Sequence, residues 1–247
     1  MIYAVSDLHG QYNTFLAGLE KIQFSEEDQL YVLGDVIDRG PDGIELLQHI
    51  KSHYNMDLLI GDHELMMLNS VDPDGKAECN GPDTTGWITN NGGGLTFERY
   101  CGLDLDERLE LINWMKERYV IRLLDINGKL FCLMHSFFKP EYVNARYSEM
   151  PYQDVWEIVW KSMFRVDFLL HTKNIYRQYD YTFITGHVPV QIIREDIGYL
   201  NPRQLKAFKR WNLINIDGGC GLTRRGELMR GALFICLDDM KEFPIRL

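Results

Sequence analysis

Gln29-Leu30-Tyr31-Val32-Leu33-Gly34-Asp35-Val36-Ile37-Asp38-Arg39-Gly40 passes from an apolar, β-favouring run into a charged turn bounded by glycines. The pattern occurs twice more. Ile2-Tyr3-Ala4-Val5-Ser6 leads into Asp7-Leu8-His9-Gly10, and Met56-Asp57-Leu58-Leu59-Ile60 leads into Gly61-Asp62-His63-Glu64. Helical patterns separate the three: residues 11–23 place Phe15, Leu16, Leu19 and Ile22 on one face, and residues 41–54 do the same with Ile44, Leu47 and Ile50. Strand and helix alternating in this way specify βαβ units and a parallel sheet, hence an α/β fold. Ligands of such sheets collect beyond the carboxyl ends of the strands, where all three motifs fall. Glycine ahead of Asp35 and Asp62 lets the chain turn tightly and keeps bulk away from each carboxylate.

Further strand patterns occupy residues 120–126, 129–135, 181–185, 213–216 and 231–237. Asn127-Gly128, between the first two, is a two-residue hairpin signal, so the complete β-structure is mixed. Residues 71–94, rich in Asp, Gly, Pro, Asn and Thr, form the longest loop-like stretch, and a helical pattern over 106–118 follows at once. Residues 71–118 therefore read as an insertion over the site within one domain spanning 1–247, because loops of this length in compact domains usually serve function.

A chain of 247 residues, 45% hydrophobic and 25% charged, is long enough to bury a full core and has an ordinary globular composition. The net charge of −10 opposes non-specific attraction to nucleic acid or an anionic membrane, and no apolar stretch approaches the roughly 20 residues that span a bilayer. Five scattered cysteines without a C-x-x-C pair argue against a disulfide framework and a zinc ribbon. Reduced thiols in the cytoplasm are the expectation. The first residues run straight into a motif without a basic leader, so no signal peptide is expected.

Taken singly, each motif has a bland account: a helix-cap aspartate, a surface histidine, a Gly-Asp turn. Three in register would leave uncompensated charge at three buried strand ends, which is costly, and divalent metal ions supply the compensation. His135 ends the run Leu130-Phe131-Cys132-Leu133-Met134 and His187 ends Phe183-Ile184-Thr185-Gly186, so both are expected to join the same site. His49, His53 and His171 lie in polar, helix-like surroundings and are expected on the surface. Arg203, Lys206, Lys209 and Arg210, interleaved with Leu205, Phe208 and Trp211, read as a solvated amphipathic helix. Gly92-Gly93-Gly94 lacks the Gly-x-x-x-x-Gly-Lys context and reads as a turn, and Cys220 as a packing residue.

These motifs together resemble the phosphoprotein phosphatase branch of the calcineurin-like metallophosphoesterases, whose pattern is D-x-H-G, G-D-x-x-D-R-G, G-N-H-E, H-A-G and G-H. The match runs from Asp7 to His187, and Asn90-Asn91-Gly92-Gly93 and Asn215-Ile216-Asp217-Gly218-Gly219-Cys220 are similar to segments of bacterial and phage members. The resemblance implies a βαβαβ sandwich of two mixed sheets flanked by helices. It also implies two divalent ions, one held by Asp7, His9 and Asp35, the other by Asp35, Asp62, His135 and His187, with Asp35 bridging. Hard oxygens mixed with imidazole suit Mn²⁺ first, then Fe or Zn²⁺. A hydroxide bridging such a pair attacks phosphorus in line. By the same resemblance His63 protonates the leaving oxygen, Asp38 holds His63 in position, and Arg39 binds phosphate with its planar fork. Glu64 is expected to serve the helix start.

The chain departs from that pattern at three points. Asp62 stands where the family has asparagine. Two divalent ions, Asp7, Asp35 and a bridging hydroxide leave one net positive charge, which Asp62 cancels, so a slower enzyme or a higher pH optimum is expected. The family's arginine after a mid-chain tryptophan is missing from Trp160-Lys161-Ser162, leaving Lys161 or Arg165 to stand in for it. Ser136-Phe137 replaces the usual Ala-Gly after His135. The expected reaction is hydrolysis of phosphomonoesters, with protein phosphoserine and phosphothreonine as substrates. The alternatives are a dinucleoside tetraphosphate hydrolase and a metal-binding module with degraded catalysis.

Overall fold

The structure is a computed structural model, and it describes residues 1–164, 175–198, 203–222 and 229–247. Its centre is the expected parallel unit: β1 (Ile2–Val5), β2 (Gln29–Val32) and β3 (Met56–Leu58), joined by α1 (Tyr12–Ile22) and α2 (Gly43–Ser52). Val5 lies beside Val32 and Val32 beside Leu58. The three turns that carry Asp7, Asp35 and Asp62 therefore leave the sheet next to one another. Asp62 opens α3 (Asp62–Leu68). The strands end one or two residues sooner than their apolar patterns, because the chain has already begun to turn into the site.

Two further strands complete this sheet in the order β10-β9-β1-β2-β3: β9 (Gly231–Cys236) runs antiparallel to β1, and β10 (Glu242–Arg246) antiparallel to β9. No strand was expected at β10, whose Pro244 breaks an apolar run. It is an edge strand, where proline is tolerated.

The second sheet has the order β4-β5-β6-β8-β7. It contains β4 (Ile121–Ile126), β5 (Lys129–Met134), β6 (Thr182–Thr185), β7 (Phe208–Arg210) and β8 (Leu213–Asn215). Asn127 and Gly128 both have positive φ, 54° and 79°, as a two-residue hairpin between β4 and β5 requires. The neighbours β5, β6 and β8 run parallel, so His135, His187 and Asp217 follow three adjacent carboxyl ends.

The amphipathic helix expected around Arg203–Trp211 is not formed. Arg194, on α7 (Val190–Asp196), donates to the carbonyls of Gln204 (2.8 Å) and Lys206 (2.6 Å), and Phe208–Arg210 pairs with Leu213–Asn215 as a strand. Leu205 and Ala207 are buried on either side of exposed Lys206, the period of two that belongs to extended chain and not to a helix.

The sheets share a core. Ala4, Leu33, Leu59 and Leu233 of one side meet Phe131, Leu133, Ile184 and Ile214 of the other. Phe15, Ile44, Leu47 and Ile50 cover the outer face of the first sheet, although Leu16, expected with them, is 38% exposed. On the second sheet, α6 (Tyr152–Trp160) and α7 supply Ile158, Val159 and Ile193.

Residues 71–118 form more than a loop. A π-helical turn (Gly86–Asn90), α4 (Gly94–Cys101) and α5 (Leu105–Lys116) bury Trp87, Tyr100, Leu111, Ile112 and Met115 in the cluster that holds α2. A reciprocal Asp104–Glu107 capping box starts α5. His49 is half-buried rather than on the surface, with Nδ1 2.8 Å from the Tyr12 hydroxyl, and its ring stacks on exposed His53. His171 lies outside the described residues. Cys220 is buried, as its packing role requires, and burial pushes its thiol well above the ordinary range. No helix among the described residues is long and apolar enough to cross a membrane.

Candidate active site

The strand-end turns are backbone-strained. Asp7, His9, Asp35, Asp38, Arg39 and His187 all have φ between +44° and +71°, a region that non-glycine residues seldom occupy. Glu64 holds two of these turns together. Its buried carboxylate accepts the N–H groups of Asp35 (2.8 Å), Val36 (2.8 Å) and Gly61 (3.0 Å). Its role thus reaches beyond the helix start into the placement of Asp35 and Asp62. Gly34, at φ +83°, admits no side chain, since a Cβ there would lie 2.6 Å from the Gly61 backbone.

Ligand-type atoms within 4.8 Å of one another fall into two groups among the described residues, Asp35 with Asp62, His135 and His187, and Asp35 with His9 and His63. Asp35 belongs to both. His135 Nε2 lies 2.8 Å from Asp62 Oδ1 and 3.5 Å from Asp35 Oδ1. His187 Nδ1 lies 2.9 Å from Asp62 Oδ1, and His9 Nε2 3.6 Å from Asp35 Oδ2. The other nitrogens of two rings face carbonyls: His135 Nδ1 is 2.7 Å from Leu33 O and His9 Nδ1 is 3.1 Å from Ile37 O. A carbonyl can only accept, so these nitrogens carry hydrogens when the rings are neutral and the Nε2 lone pairs face the centre.

Asp7, expected on the first ion, belongs to neither group. Its carboxylate accepts the His187 N–H at 3.1 and 3.0 Å and the Ser6 hydroxyl, tying the turn after β6 to the end of β1. His63 occupies the place in the first group that the sequence pattern had given to Asp7.

The electrostatics are those of a buried cation site. Burial pushes the Asp35 carboxyl well above its ordinary range, and the Asp62 and Asp7 charges push it further. Burial also raises Asp62, but the His187, His135 and His63 imidazoles outweigh it and hold this carboxyl well below its usual range. Burial depresses His9 strongly, helped by the His63 and Arg39 charges, so His9 is neutral as a ligand must be. For His135, the Asp35 and Asp62 carboxylates overcome burial and push the imidazole well above its ordinary value. Burial opposes protonation of His63 too, yet Asp35 and Asp38 raise it to about 9. Acidic oxygens that draw protons onto neighbouring imidazoles are calling for positive charge. An oxygen and imidazole donor set fits divalent first-row metals.

Chelated protein should accordingly lose stability as pH rises. His63 is raised above its unfolded value of 6.5, so its contribution is full below 6.5 and disappears as pH climbs through about 9. The effect is on the order of 3 kcal/mol, or roughly 10 °C in Tm. Calorimetry in EDTA between pH 6 and 10 checks this; a Tm independent of pH across that range contradicts the assignment.

Beside the ligand groups, Asp38 Oδ2 lies 2.5 Å from His63 Nδ1. Exposed Arg39 brings Nη2 to 2.9 Å from His63 Nε2 and Nη1 to 3.1 Å from His9 Nε2. A protonated His63 cannot accept from Arg39. Two donors then converge on one spot at the rim, an arrangement that calls for an anion. Lys161 is engaged elsewhere: its Nζ contacts Glu157 at 3.0 Å and lies 4.4 Å from the centre of the Phe137 ring. Arg165 falls outside the described residues.

Two residues near the centre were not singled out from the sequence. Asp217 is buried just past β8, and burial with the Asp7 charge pushes its carboxyl well above the ordinary range. Its position after an apolar strand is the same signal that found His135 and His187. Trp87 donates from Nε1 to Asp38 Oδ2 at 2.8 Å, and no periodicity marks it.

The calcineurin-like phosphoesterase family model matches residues 1–216. A symmetrical bis(5'-nucleosyl)-tetraphosphatase of Nitrosospira multiformis is 30% identical over 143 residues, 57% of this chain and 45% of that protein. The chain thus spans less than half the length of that relative. Serine/threonine-protein phosphatase 2 of Salmonella typhimurium is 27% identical over 190 residues, 76% of this chain and 80% of that one. A solved metallophosphoesterase from Sphaerobacter thermophilus shares the fold with a TM-score of 0.55 at 15% identity, covering 100% of this chain and 87% of its own.

Proposed function

We propose that this chain, which belongs to the calcineurin-like phosphoesterase family of metal-dependent phosphoesterases, hydrolyses phosphomonoesters, with protein phosphoserine and phosphothreonine as its substrates. The observation that carries the reaction class is the position of Asp35 in two buried His/Asp groups, with the Asp38–His63 pair and Arg39 alongside. Divalent ions, Mn²⁺ first, held by Asp35 with Asp7 and His9 and by Asp35 with Asp62, His135 and His187, would supply Lewis-acid charge and an acidified water. Asp7 is placed on the first ion by the D-x-H-G pattern it shares with the family, although its carboxylate here accepts the His187 N–H, and His63 is kept for proton transfer. Arg39 binds phosphate oxygens at the rim. His63 delivers the Nε2 proton to the leaving oxygen, while Asp38 fixes the ring through Nδ1. The buried, intact Asp38–His63 pair weighs against degraded catalysis.

The protein substrate rests on the Salmonella phosphatase, which aligns with 76% of this chain over 80% of its own length. A second reading, dinucleoside tetraphosphate hydrolysis, is favoured by one feature. Trp156 and Trp160 stack with ring centres 6.3 Å apart, and the Trp160 ring lies 6.1 Å from that of His187. Both line a cleft of about 520 Å³ with Glu157 and Lys161. An aromatic face beside the reacting centre suits a nucleobase. Turnover of a phosphoserine peptide and of diadenosine tetraphosphate, each with Mn²⁺, separates the readings. On the first, the peptide is hydrolysed and Trp156→Ala leaves its KM unchanged. Turnover of the dinucleotide alone, with a KM that Trp156→Ala raises about tenfold, overturns it.

Asp62→Asn restores one net positive charge to the site. Its pH–rate profile should shift to lower pH with faster turnover at neutrality, and a profile that overlays the wild type contradicts the charge argument.

A further inference from the structure

Trp87 is fully buried in the π-helical turn of the insertion, yet its one polar atom is aimed at the site. Nε1–H donates to Asp38 Oδ2, the same oxygen that lies against His63 Nδ1. Asp38 Oδ1 has no hydrogen-bond partner among the described residues, so the carboxylate takes its orientation from the two donors at Oδ2. The surrounding segment grips the same turn at two more points. Thr96 Oγ1 accepts the Asp38 N–H at 3.0 Å, and Gly92 O accepts the Arg39 N–H at 3.2 Å. Asp38 and Arg39 are consecutive residues with φ of +70° and +66°, a conformation that persists only when neighbours hold it. Space for the indole is also built in: Gly93 donates its N–H to Trp87 O at 3.0 Å, and a Cβ on Gly93 would lie 2.5 Å from Trp87 Nε1.

We propose that Trp87 is a positioning residue for protonation of the leaving group: it fixes Asp38, and through Asp38 the angle at which His63 presents Nε2. The inference rests on the reading of His63 as the proton donor. It makes the insertion a structural part of the proton-delivery machinery, because the residues that lock the Asp38–Arg39 turn come from 87–96. A bond between an indole N–H and a carboxylate is charge-assisted and buried, so its loss leaves Asp38 free to rotate and the imidazole with it.

The test is leaving-group dependence in the Mn²⁺-loaded enzyme. 2,4-Dinitrophenolate leaves without a proton, whereas phenolate and serine alkoxide need one. Trp87→Phe keeps the buried ring and removes the donor. Its kcat on phenyl phosphate and a phosphoserine peptide should fall roughly tenfold, a share of the roughly 10²–10⁴ that general acids contribute. On 2,4-dinitrophenyl phosphate kcat should change less than about twofold, with KM for all three steady. In a His63→Asn background Trp87→Phe should add nothing, since there is no ring left to position. Thr96→Val, which loosens the same turn from another side, should show a weaker loss with the same selectivity and serves if Trp87→Phe does not fold. Equal losses on activated and unactivated esters, or full additivity with His63→Asn, would overturn the proposal. If His63→Asn itself shows no leaving-group selectivity, the proton-donor reading fails and this inference with it. Selectivity in His63→Asn with none in Trp87→Phe or Thr96→Val removes the role of Trp87 alone.

Discussion

Asp35→Asn should lower kcat at least ~10³-fold on every phosphoester, activated or not, because both ligand groups lose the carboxylate they share. The loss should be indifferent to the leaving group, in contrast to changes at the proton donor. Mn²⁺ should also raise the Tm of Asp35→Asn far less than that of the wild type, because both ligand groups have lost a donor. Calorimetry with and without Mn²⁺ reads this. A mutant that gains as much from Mn²⁺ as the wild type would show that Asp35 is not a shared ligand.

His63→Asn carries the second large effect. The imidazole is fully buried between Asp38 at Nδ1 and Arg39 at Nε2, and Asp35 and Asp38 keep it protonated at neutral pH against the pull of burial. Removing a positioned acid costs roughly 10²–10⁴ in kcat where the leaving oxygen must be protonated, and little where it departs as a stable anion. Phosphoserine peptide turnover should fall by that factor while 2,4-dinitrophenyl phosphate turnover falls severalfold at most. Because His63 also sits in one of the ligand groups, metal content of the mutant must be measured alongside. Unchanged metal with selective loss assigns His63 to proton transfer. Lost metal with equal loss on both esters would assign it to the ion.

Much of this site can be read from the chain because strand ends are marked twice, by the close of an apolar run and by the charge that follows it. Asp35, Asp62, His135 and His187 all carry that double mark, and the structure gathers them around one carboxylate. Both sheets use the same device: β1 to β3 and β5, β6, β8 each run parallel and release their turns on the same side. What stayed hidden depends on contacts distant in sequence. Glu64 reaches back to amides 28 and 29 residues away. Trp87 reaches Asp38 across 49 residues from a segment whose composition reads only as loop. Asp7 carries the same strand-end mark as its partners, but its carboxylate is turned to the His187 amide of the other sheet, which no local pattern encodes. The strand at Phe208–Arg210 is masked by the basic residues around it; the segment is extended because it pairs with Leu213–Asn215 and because the Arg194 guanidinium bonds the carbonyls of Gln204, Lys206 and Ala207 just before it.

Metal stoichiometry tests the central claim most directly. After saturation with Mn²⁺ and removal of free ion, elemental analysis should find two Mn²⁺ per wild-type chain and at most one in Asp35→Asn. One ion or none in the wild type, or two retained without Asp35, would contradict a dinuclear centre built on that carboxylate.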